Sequence, residues 1–204
     1  SVIEDNFIKN ILQDIESKTD GIITPFAIDI NNGDLLPSIR LNKLGFPYAF
    51  KTKTLQDIFL IDLAISSGTT ISSKIVDKVG FFNEVLFIDH VDTEWCLRCR
   101  NMGLQIFQTP KAVIKHNIGD SRKKIGPITI QTHPPERCYY QIRNSLALLK
   151  FRHVPKALAI YDILSTLFNR SCLLILSDRK KDYFIAFCKG IKDGLFINVK
   201  PKCY

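Results

Sequence analysis

The segment Asp89–Glu94 places three carboxylates and one imidazole within six consecutive residues. A carboxylate held beside an oriented hydroxyl can accept its proton as the oxygen attacks, so the segment indicates a general base. A structural interpretation competes with this one. Asp92 lies where a helix is predicted to begin and can cap it, and Glu94 precedes Arg98 by four residues, the spacing of an intrahelical ion pair.

The residues that flank this segment also have two interpretations each. Trp95 can form an aromatic wall for a sugar ring or pack in the core. His116 ends a strand-like stretch and leads into the Gly-containing loop 117–120, where it can be a ligand or a structural residue. The run Arg122–Lys124 can close over a phosphate as a cationic lid or lie on the solvated surface.

Hydrophobic periodicity predicts a mixed α/β body followed by helices. Strands are predicted at Gly21–Ile30, Leu104–Gln108 and Ala112–Lys115, and a further short apolar run lies at Ile58–Ile65. Helices are predicted at Asp5–Lys18, from Ser72 or Ser73 to Gly80, and at Asp92–Met102, Arg137–Phe151, Pro155–Leu176 and Arg179–Ile191. Asp120–Pro135 is predicted to be a long loop. The pattern divides the chain into an α/β part, 1–135, and a basic amphipathic helical part, 136–204.

The charge of the chain is concentrated in the helical part. The formal net charge is +8, but residues 1–136 carry 15 Lys and Arg against 16 Asp and Glu, whereas residues 137–204 carry 13 against 4. A basic tail on a neutral body indicates an anionic partner, either nucleic acid or an acidic membrane surface. The tail contains no recognisable nucleic-acid motif, which argues against the first.

Composition narrows the class of protein further. The chain is 46% hydrophobic and 24% charged, as globular domains are. Its six cysteines have no framework spacing, and the pair Cys96 and Cys99 has no second pair to complete a four-ligand metal site, so packing in a helix is expected. The most apolar stretch, Ala157–Leu176, is interrupted by charged residues and is predicted not to cross a membrane.

Several stretches, in their order along the chain, resemble the rhamnosyltransferases of glycosyltransferase family 2. They are Ser67–Thr69, Val79–Phe82, Leu86–Arg98, Val113–His116, Ile118–Asp120, Tyr139–Asn144 and Lys189–Gly194. The order and the block Val91–Trp95 are specific, whereas each short piece alone is not. The resemblance covers nearly the whole chain and implies the C-terminal portion of a GT-A-like mixed sheet with flanking helices, followed by a helical appendage.

The activity that this resemblance implies is single-displacement, inverting transfer from a nucleotide-activated sugar. For rhamnose the donor is dTDP-L-rhamnose, and the acceptor is a growing lipid-linked oligosaccharide or cell-surface polysaccharide. By the same resemblance Asp92 is the catalytic base, Glu94 orients the acceptor, and Asp89 is a weaker candidate for the base. His116 matches a histidine that helps to bind a divalent cation, Mn²⁺ or Mg²⁺.

The resemblance also implies a set of substrate contacts, and the chain departs from the family in one respect. Substrate contacts are expected from Ser67, Gly68, Thr69, Asp89, Trp95 and Arg122. In the family, an Asp-x-Asp-like metal motif immediately precedes the sequence that Ser1–Ile8 resembles. The main metal ligands are therefore expected upstream of Ser1, and the 204 residues alone are expected to be inactive.

The basic helices suggest where such an enzyme works. Their apolar residues can lie on an anionic leaflet, at the cytoplasmic face of a bacterial plasma membrane. They can also pack on the body or form an interface between copies of the chain. From another class of protein, the alternatives are a non-catalytic module that binds the acceptor or docks on a membrane, and a basic nucleic-acid binder.

Overall fold

A computed structural model describes residues 1–16, 21–50, 57–116, 122–125 and 128–199, with the backbone alone at 122–125 and 128–131. The strands are β1 (Val2–Ile3), β2 (Ile22–Asp29), β3 (Ser38–Leu41), β4 (Pro47–Phe50), β5 (Phe59–Ile61), β6 (Thr70–Ile71), β7 (Ile106–His116), β8 (Arg122–Ile125) and β9 (Ile128–Gln131). The helices are α1 (Phe7–Glu16), α2 (Ser73–Val79), α3 (Val91–Asn101), α4 (Pro135–Leu148), α5 (Lys156–Leu176) and α6 (Lys180–Phe196). The predicted α/β class is confirmed.

The main sheet is mixed and is built around β7. This strand pairs in parallel with β2 on one side and antiparallel with β1 and β5 on the other, while β6 extends the sheet beyond β2. Because β2 and β7 are parallel, their carboxyl ends meet, and Asp29 is the register partner of His116. In open α/β sheets this edge is where ligands bind.

The sequence predicts two strands where the structure has the single strand β7, so that prediction is wrong. Pro110 interrupts the apolar pattern and cannot donate a ladder hydrogen bond. The strand continues because the register with β2 shifts at this point: Pro25 pairs with Thr109, whereas Phe26 pairs with Val113. The loop predicted at Asp120–Pro135 is also wrong in part, since β8 and β9 pair as an antiparallel hairpin.

The helical part shares a hydrophobic core with the α/β part. One cluster of buried side chains crosses the predicted boundary at residues 135 and 136, and it contains Leu41, Leu86, Leu97, Ala147, Leu148, Phe151, Val154, Leu158 and Ala159. Burying apolar surface of both parts together stabilises their mutual position. The helices α4 and α5 are therefore packed on the body.

Helix α6 packs closely on α4 through two glycines. A Cβ atom at Gly190 would lie 2.9 Å from the carbonyl oxygen of Tyr139, and one at Gly194 would lie 2.9 Å from that of Arg143. Between the two glycines, Asp193 accepts a 2.8 Å hydrogen bond from the Tyr139 hydroxyl. Small residues one helical turn apart thus set the distance between the two helices.

Helix α5 is more apolar than the sequence prediction allowed. It has 21 residues, and an 18-residue window within it has a mean hydropathy of 1.4, so by length and composition it is able to cross a membrane and the sequence-based exclusion on composition does not hold. Its other side chains nevertheless contact the rest of the molecule: partly buried Asp162 pairs with His90 at 2.7 Å, and buried Arg170 contacts Cys138 of α4. Any contact of α5 with a membrane would therefore involve its exposed face.

Candidate functional site

A cavity of about 790 Å³ opens between the main sheet and the start of α3. Its walls come from β2, from the segments that follow β5, from the turn before α3 and from the end of β7. The polar or aromatic side chains on its walls include Ser66, Ser67, Phe82, Phe87, Asp89, His90, Asp92, Gln108, His116 and Arg137. Sequence-predicted site residues from three separate stretches of the chain, at Ser67, at Asp89 and Asp92, and at His116, thus line one space.

Asp92 lies in the first turn of α3, with its carboxylate on the cavity wall. Residue His90, in left-handed conformation with φ 62°, is the N-cap, so the prediction that Asp92 caps the helix is wrong. The Asp92 carboxylate instead accepts a 3.1 Å hydrogen bond from the backbone N–H of Ser66. Partial burial raises its pKa, an effect that this hydrogen bond only partly offsets and that nearby Asp89 reinforces.

Glu94, two residues further on, points away from this cavity into the core. Its side chain is 2% exposed, and its two oxygens accept hydrogen bonds from Arg98 at 3.0 and 2.8 Å. His153 contacts the same carboxylate at 2.9 Å. Burial alone would raise the pKa of Glu94, but the contacts with His153 and Arg98 outweigh it and lower that pKa. The predicted ion pair with Arg98 is confirmed.

Asp89 lies on the cavity wall but is already paired. Its two oxygens accept hydrogen bonds from Nε and Nη2 of Arg137 at 3.0 and 2.9 Å, the two-pronged geometry that makes an Arg–carboxylate pair strong. Asp89 also has a positive φ of 60°. The pair fixes the turn before α3 to the first turn of α4.

His90 connects the start of α3 to α5. Its Nε2 lies 2.7 Å from Oδ2 of Asp162, and the ring is largely buried. Burial by itself lowers the pKa of His90, but the charge and hydrogen bond of Asp162 outweigh it, and Asp89 adds to them, so the pKa is raised. The pair therefore binds a proton more tightly than an exposed histidine does.

The other predicted contact residues divide between wall and core. Ser67 lines the cavity. Gly68 has φ 74°, and a Cβ there would lie 2.9 Å from Pro25, so it shapes a turn. Thr69 donates from its hydroxyl to that of Thr24 at 2.9 Å. Trp95 is 3% exposed and donates its indole N–H to the carbonyl of Gly80, so it packs in the core and does not line the cavity.

His116 faces the cavity from the end of β7, where its Nδ1 lies 2.8 Å from the hydroxyl oxygen of Ser1. Within the described residues, no group of three or more His, Cys, Asp or Glu side chains is arranged to hold a metal ion. These residues do not form a metal centre by themselves, and His116 offers a single ligand. The loop 117–120 and the side chain of Arg122 lie outside the described residues.

The Cys96–Cys99 pair behaves as the packing interpretation predicts. Both thiols are buried on α3, and burial raises the pKa of each to about 12. Thiols with such pKa values are neutral and unreactive at neutral pH. The pair belongs to the core beneath the cavity.

Three residues of the site were missed by sequence reasoning. Arg137, Asn144 and His153 lie between 48 and 59 positions beyond the acidic residues or backbone groups that they contact. Helical periodicity places them on helices or connections but carries no information about which distant group each contacts. A run of Tyr, Arg and Asn on one helix was the available signal for Asn144.

In sequence, the chain is similar to a named sugar transferase. No family model matches it. A Shigella flexneri protein named dTDP-rhamnosyl transferase RfbF is 34% identical over 195 residues, which make up 96% of this chain and 66% of that protein. The chain is therefore rhamnosyltransferase-like in sequence along nearly its whole length, and it spans 66% of the length of that relative.

Proposed function

We propose that the chain is the acceptor-side part of an inverting glycosyltransferase of family 2 with a GT-A-type fold. It moves L-rhamnose from dTDP-L-rhamnose to a saccharide acceptor, with Asp92 as the general base. One observation carries the proposal: Asp92 presents a carboxylate of raised pKa on the wall of a large cavity, in a chain similar to a rhamnosyl transferase. A base works best when its pKa approaches the working pH.

In the proposed reaction, an acceptor hydroxyl lies beside the free edge of the Asp92 carboxylate. As the acceptor oxygen attacks C1 of the rhamnosyl group, its proton passes to Asp92 and the bond from C1 to the phosphate oxygen breaks. The nucleoside diphosphate leaves from the opposite face, so the configuration at C1 inverts. The backbone N–H of Ser66 holds the carboxylate in position for this step.

Glu94 takes a positioning role in this proposal. Its oxygens are held by Arg98 and its side chain does not line the cavity, so it supports the helix turn that carries Asp92. His116 is proposed to lie on the donor side of the cavity, where the carboxyl ends of β2 and β7 meet. A divalent cation would neutralise the leaving diphosphate, and since the described residues offer it one histidine, its further ligands are proposed to come from elsewhere in the intact protein.

The test replaces Asp92 with Asn in the intact protein that carries this chain. Rhamnosyl transfer is expected to fall by roughly 10²- to 10⁴-fold, because general-base catalysis contributes on that order. Donor binding, measured by calorimetry with dTDP, is expected to stay unchanged. Asn fills the same space and its carbonyl oxygen can still accept from Ser66, so the fold is retained.

A matched control distinguishes loss of the base from a general effect of an Asp-to-Asn change. Asp77→Asn makes the same change at an exposed position of α2 outside the cavity and is expected to retain the transfer activity. Near-normal turnover of the Asp92→Asn protein would remove Asp92 from the role of base. Failure of the wild-type protein to transfer rhamnose would reject the proposed donor.

We also propose that the exposed face of α5 contacts the cytoplasmic leaflet of the bacterial plasma membrane, where a lipid-linked acceptor would lie. Ile160, Leu164, Phe168 and Ile175 recur about one turn or two turns apart and are 51 to 69% exposed. Leu164→Glu should reduce flotation with phosphatidylglycerol vesicles, whereas Ile8→Glu, at an equally exposed site on α1, should not. If light scattering shows that Leu164→Glu dissociates a dimer instead, the face is a homo-oligomer interface.

A further inference from the structure

The turn that precedes α3 has the most unusual backbone in the described part of the chain. Phe87 has φ 60° and ψ −62°, and the N–H of Ile88 donates to the carbonyl of Leu86 at 2.7 Å, which makes a γ-turn centred on Phe87. The non-glycine residues with positive φ in the described ranges are Phe87, Asp89 and His90. Strain of this kind gathers at functional sites when the surroundings hold it in place.

Two adjacent side chains of α4 hold this turn. The Arg143 Nη2 donates to the carbonyl of Val85 at 2.6 Å and to that of Leu86 at 3.0 Å. The buried amide nitrogen of Asn144 lies 2.8, 2.7 and 3.1 Å from the carbonyl oxygens of Leu86, Ile88 and Asp89, so its two N–H bonds serve three acceptors and one of them is shared. These bonds fix the backbone on both sides of Phe87, so the direction in which its side chain points is set in advance.

The ring that this arrangement displays is apolar and exposed. Phe87 is 72% exposed and lines the cavity at the same time. Its ring is supported from one side by Tyr140 at a centroid distance of 5.1 Å, and the Arg143 guanidinium lies 4.8 Å from the Tyr140 ring centroid. A strained turn that holds an apolar ring in water gains nothing for folding, so a ligand that covers the ring is the better explanation.

We propose that Phe87 is the stacking platform for the acceptor: its ring packs against the C–H face of the pyranose that carries, or precedes, the attacked hydroxyl. The proposal rests on the proposed function. An aromatic face suits the apolar side of a sugar ring and does not suit a charged diphosphate, so the platform belongs to the acceptor half of the cavity. Phe87 and the proposed base Asp92 lie five residues apart on the same wall.

The experiment compares Phe87→Ala and Phe87→Trp with the matched control Phe81→Ala. Phe81 is 75% exposed but does not line the cavity. Kinetics use dTDP-L-rhamnose and a panel of methyl glycosides as acceptors, including methyl α-L-rhamnoside and methyl N-acetyl-β-D-glucosaminide. Phe87→Ala is expected to raise the KM for the acceptor by about tenfold, with the KM for the donor unchanged, because losing one aromatic contact corresponds to a change of that order. Phe87→Trp and Phe81→Ala should stay within about threefold of wild type.

A second measurement needs no turnover. Saturation-transfer NMR on the 204-residue chain with the same methyl glycosides should show transfer to the pyranose ring protons in wild type and Phe81→Ala, and should lose it in Phe87→Ala. An unchanged acceptor KM, an equal effect of Phe81→Ala, or no saturation transfer in wild type would overturn the platform. Absence of rhamnosyl transfer together with normal saturation transfer would reject the proposed function and keep Phe87 as a sugar-binding residue.

Discussion

The two halves of one short stretch, Phe87–Asp92 and Glu94–Cys99, differ in almost every physical respect. The first has positive φ at three residues, an exposed aromatic ring, and a carboxylate of raised pKa on the cavity wall. The second is regular helix, buried throughout, and its carboxylate has a lowered pKa beside two basic side chains. The regular, buried helix segment Glu94–Cys99 can therefore hold the strained segment Phe87–Asp92 in place.

The contrast separates two carboxylates that look alike in the sequence. Asp92 and Glu94 are two residues apart, and both are acidic residues in the first turn of a helix. Glu94 has its charge neutralised by Arg98, so proton transfer to its carboxylate would break a buried ion pair. Asp92 is held by a backbone N–H, so its proton affinity remains available for chemistry.

The largest effect is expected from Glu94→Ala. Removing this carboxylate leaves Arg98 buried without its charged partner, which costs about 3–5 kcal/mol of unfolding free energy. Asp92 is half-buried and forms no ion pair with the described residues, so Asp92→Ala should cost about 1 kcal/mol. Urea denaturation of both variants measures the difference, and equal losses would show that the two halves are not distinct.

Asn144→Ala should produce a smaller loss of stability combined with a change at the cavity. The two N–H bonds of its amide are directed at carbonyls of the strained turn, and leaving buried acceptors unsatisfied costs about 1–3 kcal/mol. Asn144→Asp retains the size but exchanges the donors for acceptors and should be at least as harmful. If both variants unfold at the wild-type urea midpoint, α4 does not hold the turn.

The pH dependence of transfer should report the raised pKa of Asp92. The base must be ionised, so kcat/KM is expected to fall as the pH drops through that pKa, which lies above the value of about 4 for an exposed aspartate. The residual activity of Asp92→Asn should lack this acidic limb. An acidic limb that persists unchanged in the Asn variant would assign it to another group.

The smallest effect is expected at the pair of His90 and Asp162. The folded-state pKa of His90 is raised, so the stability that this pair contributes is fully present below the unfolded-state pKa of about 6.5 and is lost as the pH rises through the folded-state pKa. Asp162→Asn should therefore cost about 1 kcal/mol near pH 5.5 and less near pH 8.5. Denaturation at the two pH values measures this, and a cost that grows with pH contradicts it.

Local patterns predicted the regular half of this stretch and not the strained half. Helical periodicity and Gly103 predicted α3 to within a residue of each end, and the four-residue spacing predicted the pair of Glu94 with Arg98. The left-handed His90 that starts the helix was missed, because that conformation is unusual for the residue and is imposed by contacts from α4 and α5. Asn144 and His153 act over more than fifty residues of chain, a range at which periodicity has no signal.

The same distinction applies to the sheet. The buried strand β2 was predicted from its apolar run, since burial on both faces needs continuous hydrophobic sequence. The strands β1 and β6 have two residues each, too few to show a period, and their pairing depends on neighbours elsewhere in the chain. The bulge that carries Pro110 within β7 is likewise a property of the pairing with β2.

Through the two glycines of α6, the shape of the cavity also depends on the last helix of the described chain. A side chain at Gly190 or Gly194 would push α6 off the stretch of α4 that includes Tyr139 and Arg143, the same stretch that grips the turn around Phe87. Substitution of either glycine is therefore expected to alter substrate selectivity. A trimmed protein ending before α6 would keep Asp92 and lose the backing that aims Phe87.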